Sequence, residues 1–397
     1  MAGRVNRSSD ASGTGAGEAR AARPLTILGA YGGVNSGDEM ILRAVVRQAR
    51  RAGYRGPINV VAGHVPAGAS LRADYLDEQL VVHSWRDRAK ALRAAAGRDL
   101  FIGGGQLIDG AFGINHPLVQ TALAMVARAT GGKVAIGGVS TARLESPKVR
   151  MLYRLLFGLA GRIAARDEAS LADILAIAPS AATKSERLAD MVFALADELG
   201  GGRPVEERRA LVFAVHHAPH LPLTDMDEAA GFLGRAAALA GEQVELKVVA
   251  HDHRPEWDLD FARRLAARAG LPGDAVRTLA TTAECADFYR AARSVVSVRM
   301  HPIILGACAG AYCVPVKGSR KQADLAGRLG LPSWSLAEMM ALDDMAFGAA
   351  VGIGAGGPRP DRARLERLSE EARAVLAPAA GAGARQSAPA QAAAGRA

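Results

Sequence analysis

Short runs of β-branched and apolar residues alternate with amphipathic stretches along most of this chain. That alternation restricts it to parallel sheets covered by helices on both faces. In the first half, strands are predicted near Leu25–Leu28, Ile58–Ala62, Leu80–Val82, Asp99–Ile102, Lys133–Ile136 and Arg162–Ala165, with helices such as Asp38–Arg51 and Leu118–Ala129 between them. In the second half they fall near Ala210–Val215, Val244–Ala250, Val276–Thr278, Ser294–Val298 and Tyr312–Val316. The expected fold class is α/β, with two doubly wound Rossmann-like domains facing across a cleft. Gly200-Gly201-Gly202-Arg203-Pro204 reads as the break between them. The expected division is a first domain at 24–200, a linker at 201–207, a second domain at 208–358 and a closing helix at 359–376 that packs back on the first domain. Residues 1–23 and 377–397 are low in complexity and expected to be disordered tails.

A length of 397 residues suits two domains, and 49% apolar residues is ample for two cores. The net charge of +9 suits an acidic partner such as a phosphorylated substrate or an anionic membrane surface. Nucleic acid is not expected, because an aromatic content of 5% offers few rings on which bases can stack. Three cysteines, Cys285, Cys308 and Cys313, have no Cys-x-x-Cys spacing, which points to a reducing cytosol and no zinc site. No segment reads as a membrane span or secretory signal. The expected location is cytoplasmic, with peripheral contact at the inner membrane face allowed by the positive charge.

In doubly wound sheets, ligands collect beyond the carboxyl ends of the strands. The chemistry-bearing motifs fall there. Arg299-Met300-His301 follows the run Ser294–Val298. Extended side chains alternate, so Arg299 and His301 would share one face, a cationic fork beside a group that titrates near neutrality. Taken alone, the tripeptide is better explained as a surface ion pair with a hydrogen-bonded histidine, and it is the company of the other motifs that favours a site. Gly29-Ala30-Tyr31-Gly32-Gly33-Val34-Asn35-Ser36-Gly37-Asp38-Glu39 leaves the first strand and enters a helix. Ser36-x-x-Glu39 has the spacing of a capping box, with Asp38 at the positive helix end. The alternative is a ligand loop in which Gly32, Gly33 and Gly37 allow close backbone approach. Asp38 and Glu39 would repel phosphate, so sugar hydroxyls are the expected partner, with Asn35 among the contacts and Asp38 available as a general base.

Gly103-Gly104-Gly105 is either a tight passage from strand to helix or a second place of close backbone approach. Asp109 and Asn115-His116 follow in a predicted loop. In Arg166-Asp167-x-x-Ser170, Asp167 is suited to cap a helix and Arg166 to pair with a carboxylate or clamp an anion. His216, His217 and His220, and His251 with His253, lie after predicted strands. No carboxylate–histidine spacing among them matches a known ligand set, so no metal is expected.

In this order and at these distances, Gly29–Glu39, Phe101–Gln106, Ala164–Ser170, Arg299–His301 and Lys317-Gly318-Ser319-Arg320-Lys321 resemble the polysaccharide pyruvyl transferase family, over about Leu25 to Pro332. The resemblance implies a GT-B fold and transfer of pyruvate from phosphoenolpyruvate to a saccharide or lipid-linked saccharide as a ketal. It implies no organic cofactor, phosphoenolpyruvate being a co-substrate. It places Arg166, Arg299, Lys321 and the Met300 backbone around the donor and makes His301 the proton donor. Gly32, Gly33, Asn35, Asp38, Glu39 and Gly103, Gly104 and Gly105 fall on the acceptor side. The family usually carries a tyrosine three residues before the lysine, where this chain has Gly318. Two other readings stay open from the residues alone: a glycosyltransferase using a nucleotide-sugar donor, and a saccharide-binding protein without catalysis. Oligomeric state is not legible.

Overall fold

The computed structural model describes residues 24–32, 34–63, 80–218, 224–354 and 356–376. Both expected tails, Gly33 and His220 lie outside them. The first sheet contains β1 Leu25–Gly29, β2 Ile58–Ala62, β3 Leu80–Ser84, β4 Asp99–Asp109, β5 Val134–Ala142, β6 Arg162–Ala165 and β7 Ser185–Arg187, in the order β3-β2-β1-β4-β5-β6-β7. The second contains β8 Ala210–Ala214, β9 Glu245–Ala250, β10 Val276–Thr278, β11 Ala292–Ser297 and β12 Tyr312–Pro315, in the order β10-β9-β8-β11-β12. Every pairing is parallel. The order in which successive strands are added reverses between β1 and β4 and again between β8 and β11, and a crevice opens at such switch points.

The helices of the first half are α1 Ser36–Arg51, α2 Arg88–Ala95, α3 Asn115–Ala129, α4 Pro147–Leu159, α5 Glu168–Ile177 and the short α6 Ala196–Leu199. Those of the second are α7 Met226–Ala240, α8 Asp260–Arg268, α9 Thr282–Ala291, α10 Met300–Cys308, α11 Arg320–Leu329, α12 Leu336–Met340, α13 Asp344–Val351 and α14 Arg362–Ala374. Helices on both faces leave β1, β2 and β11 wholly buried, which is why β1 and β2 read as nearly continuous apolar runs. One apolar cluster continues from α1 through Met191–Leu199 to Ile303, Ile304 and Ala307 of α10, so the halves share packed contact beside the cleft. The last helix α14 lies against Met191–Leu195. Arg162 Nη1 in β6 donates to Ala374 O at 2.6 Å.

Several local expectations change. β4 does not end at Ile102; it runs on to Asp109 through the three glycines, with Gly103 paired to Gly137 and Gly105 to Val139 before an irregularity. Asp109 is therefore a buried strand residue, not a loop residue, and Asn115 and His116 begin α3. Glycine normally weakens a strand, but here the backbone needs it. At Gly104, φ is +79°, and a Cβ would stand 2.2 Å from Ile41 Cγ2. β7 is too short, at three residues, to leave a periodic signal.

Candidate active site

The loop after β1 and the loop after β9 meet across the two sheets. Ser36 N donates to His251 O at 2.9 Å, and His253 N to Val34 O at 2.8 Å. The expected capping box is absent, because Asn35 rather than Ser36 is the N-cap of α1. Asn35 Oδ1 accepts from Gly37 N and Asp38 N at 2.9 and 3.4 Å. Ser36 Oγ is drawn instead to Leu279 O and His253 Nε2, both at 2.9 Å. Glu39 is buried, and its Oε1 accepts from Gly32 N at 2.8 Å, which ties down the loop. Two residues expected among acceptor contacts, Asn35 and Glu39, thus turn toward their own loop and helix.

Arg299 and His301 do not stand as alternating residues of an extended strand. β11 ends at Ser297, Arg299 is the N-cap of α10, and His301 is in its first turn. The two side chains accordingly reach different carboxylates. Arg299 Nη2 lies 2.7 Å from Asp258 Oδ2, and its Nε donates to Val215 O at 3.1 Å. Asp258 is fully buried and also accepts from His217 N and Asp252 N. His301 Nε2 lies 3.7 Å from Asp190 Oδ2, an ion-pair separation longer than a hydrogen bond. No side chain caps α10, so its first-turn amides, Met300 N–H among them, keep the donors that helix N-termini offer to anions.

Arg166 makes the corresponding pair in the first half. Its Nη1 is 2.8 Å from Asp190 Oδ2, with both side chains buried, and its Nε donates to Ser140 Oγ at 2.5 Å. Ser140 Oγ donates in turn to Asp167 Oδ2 at 2.8 Å, while Asp167 caps α5 through Ser170 N. Asp190 is the junction of the site: one carboxylate faces Arg166 from the first half and His301 from the second. Burial pushes its carboxyl pKa up, but the charges of His301 and Arg166 and the Val192 amide outweigh that and hold it below the usual carboxylate range.

Asp38 completes the cluster. Burial raises its pKa, against the pull of His301, Arg166 and Arg299, and Asp252 raises it further. A carboxyl with a raised pKa is a better proton acceptor than an ordinary one. Its Oδ1 would lie 3.2 Å from a Cβ on Gly105, so the β4 glycines leave room for it. Lys321 of α11 reaches across the cleft to Gln106 Oε1. Burial, then Arg166, lowers its pKa to about 7 against the opposing pull of Asp167 and Asp109. Arg166, Asp190, Met300, Lys321, Asp324 and Arg328 line one narrow crevice.

The structure therefore brings together Asp38, Arg166, Arg299, Met300, His301, Lys321 and the β4 glycines. Sequence reasoning missed Asp190, Asp258, Ser140 and Gln106. Asp190 had a signal, as the lone acid in the otherwise apolar run Leu188–Leu195. The remaining histidines have other partners: His251 Nε2 is 2.6 Å from Tyr289 Oη, and His217 stacks on Phe261. Burial, then Arg299, lowers the pKa of His216 to about 3. Among the described residues, no group of three or more His, Cys, Asp or Glu is placed to hold a metal.

Gly37 shows how closely the halves fit. A Cβ there would stand 2.2 Å from His301 Nδ1. Gly37→Ala is expected to displace the ring and lower turnover by at least about tenfold, since small misplacements of catalytic groups are costly. Steady-state kinetics beside a thermal melt checks this; a folded variant with unchanged turnover would contradict the placement.

The polysaccharide pyruvyl transferase family model matches residues 35–320. No curated protein matches the chain significantly. Among solved structures, a UDP-N-acetylglucosamine 2-epimerase is similar over 89% of this chain and 95% of that chain, at 10% identity and a TM-score of 0.52. A putative UDP-N-acetylglucosamine 2-epimerase from Listeria monocytogenes is similar over 88% of this chain and 91% of its own, at 9% identity and a TM-score of 0.53. The Neisseria meningitidis UDP-GlcNAc 2-epimerase, bound to UDP-GlcNAc, covers 89% and 98%, at 9% identity and a TM-score of 0.51. At such identities the likeness is one of fold, two Rossmann-like domains in a GT-B-like arrangement.

Proposed function

The chain belongs to the polysaccharide pyruvyl transferase family, and on that premise we propose that it moves pyruvate from phosphoenolpyruvate onto two hydroxyls of a saccharide as a cyclic ketal. The observation that carries this reading is the convergence of Arg166, Arg299, Lys321 and the uncapped N-terminus of α10 around His301. Phosphoenolpyruvate has a carboxylate and a phosphate, so fixing both ends calls for more than one cation. Arg166 Nη2 and Arg299 Nη1 have no partner among the described residues and are the nitrogens to meet them. The buried Asp190 and Asp258 hold the two guanidiniums in place.

His301 then protonates C3 of the enol, C2 becomes oxocarbenium-like, and a sugar hydroxyl adds to it. Cleavage of the C2–O bond releases phosphate, stabilised by the cations, and the second hydroxyl closes the ketal. Of the two hydroxyl protons, one balances the proton given to C3 and the other leaves with phosphate. In this reading Asp38 accepts the first and Lys321 meets the leaving group. No step calls for an organic cofactor. The acceptor approaches beside Gly105, whose missing Cβ leaves room next to Asp38. A cytoplasmic location suits a donor drawn from the phosphoenolpyruvate pool.

Calorimetry with phosphoenolpyruvate tests the donor without knowledge of the acceptor. Lys321→Ala is the variant of choice, because removing Arg299 would strand the buried Asp258. Wild type is expected to bind, and Lys321→Ala to lose at least about tenfold in affinity. Lys321 is protonated below its pKa of about 7, so wild-type affinity should weaken as pH rises through that value. Lys321→Arg should remove that dependence. No binding by folded wild type, together with consumption of a nucleotide sugar, would overturn the donor assignment.

A further inference from the structure

Most of the net positive charge, though not most of the lysines and arginines, lies in one stretch of the first half. Residues 84–160 hold eleven lysines and arginines against four aspartates and glutamates, in a chain whose net charge is +9. Two of those four acids, Asp99 and Asp109, are buried. The same stretch carries the exposed apolar residues Phe112, Ile114, Leu118, Met125, Met151 and Leu155, six of the eight large apolar side chains exposed among the described residues. Such clustering marks an interaction surface rather than scattered exposure.

The helical register makes this one face. Ile114, Leu118 and Met125 are four and seven residues apart, which aligns them along α3, and Met151 and Leu155 align likewise along α4. The two helices pack side by side, with Thr121 Oγ1 donating to Leu152 O at 3.3 Å. An apolar groove lined by Ala91, Leu92, Leu118 and Ala122 continues toward α2. Arg88 lines this groove, and Arg128 of α3 and Lys148, Arg150 and Arg154 of α4 are exposed.

We propose that the outer face of α2, α3 and α4 docks on an anionic lipid bilayer. Apolar side chains accompanied by cations match a surface with an acyl interior beneath negative headgroups. A second copy of the chain is the poorer partner, because apposing this face to itself sets like charges together. The face also adjoins the cleft. Lys321 holds Gln106, Gln106 Nε2 donates to Asp109 Oδ2 at 2.5 Å, and Arg143 Nη2 lies 2.8 Å from the same carboxylate oxygen. The turn Gly110–Phe112 begins at the next residue. A saccharide carried on a lipid would thus approach the cleft from the docked side, a consequence that rests on the proposed function; the docking itself does not.

Co-sedimentation of the full chain with vesicles separates the two, since it uses neither donor nor acceptor. Vesicles rich in phosphatidylglycerol are expected to retain the protein and those of phosphatidylcholine alone to release it. Phe112→Ser with Leu118→Ser, and separately Lys148→Glu with Arg150→Glu, should each lower partitioning by about tenfold or more, with an unchanged thermal midpoint and unchanged phosphoenolpyruvate binding. Absence of partitioning by wild type, or equal partitioning by wild type and both variants, would overturn the proposal. So would a dimer in size-exclusion chromatography that Leu118→Ser dissociates, which would assign the face to a second copy.

Discussion

His301→Ala is expected to lower kcat by about 10²–10⁴-fold, the range a positioned general acid supplies, while phosphoenolpyruvate affinity stays within a few-fold of wild type. The ring is surrounded rather than load-carrying. It lies against Gly37 on one side and 3.7 Å from Asp190 on another, and removing it leaves both cationic forks paired to their carboxylates. A loss concentrated in kcat marks an interaction made in the transition state, whereas a rise in KM alone would mark ground-state binding. Measuring phosphate release with saturating donor, beside calorimetric affinity, distinguishes the two. A folded His301→Ala enzyme with near-normal kcat would remove His301 from the chemistry.

Arg166→Ala is expected to have the largest effect on stability. Arg166 and Asp190 are both buried, with side-chain exposures of 6% and 2%. Removing one member of such a pair strands the other, at a cost of about 3–5 kcal/mol. Asp190→Asn in the Arg166→Ala background should recover part of that loss, because a neutral amide is far less costly to bury than an unpaired carboxylate. Denaturant unfolding of the two single variants and the double variant gives the coupling. The pH response carries its own sign. With its pKa depressed in the folded state, Asp190 contributes stability above the unfolded carboxylate range, and that contribution is lost as pH falls through its folded pKa. Without Arg166 the carboxyl pKa rises, so the gap in stability between variant and wild type should narrow on acidification. A gap independent of pH would mean that Arg166 acts through packing alone.

Much of the fold is legible in the chain because burial on both faces writes a parallel strand as a continuous apolar run. Leu25–Gly29, Ile58–Ala62 and Ala210–Ala214 are found within a residue or so of their predicted places. The failures share a cause. Gly103–Gly105 has no strand propensity, yet it pairs with β5, and glycine is required there because a Cβ at Gly103 or Gly104 would collide with Phe101, Gly137 O or Ile41. Ser36 has the right spacing to cap α1, but Leu279 and His253 from the other half claim its hydroxyl, and Asn35 takes its place. Likewise, period-two alternation beyond β11 could not foresee that α10 begins at Met300 and turns His301 toward α1.

The sequence by itself determined two doubly wound sheets, the strand ends where polar motifs collect, and the cationic and acid–base residues at those ends, since each depends on local periodicity and residue chemistry. Only the tertiary structure decided which of them meet. Asp190 draws Arg166 and His301 together from opposite halves, Asp258 fixes Arg299, and burial beside Gln106, with Arg166 nearby, lowers the Lys321 pKa to about 7. Charge interactions and desolvation depend on distance and exposure in space, and neither is encoded in the spacing of residues along the chain.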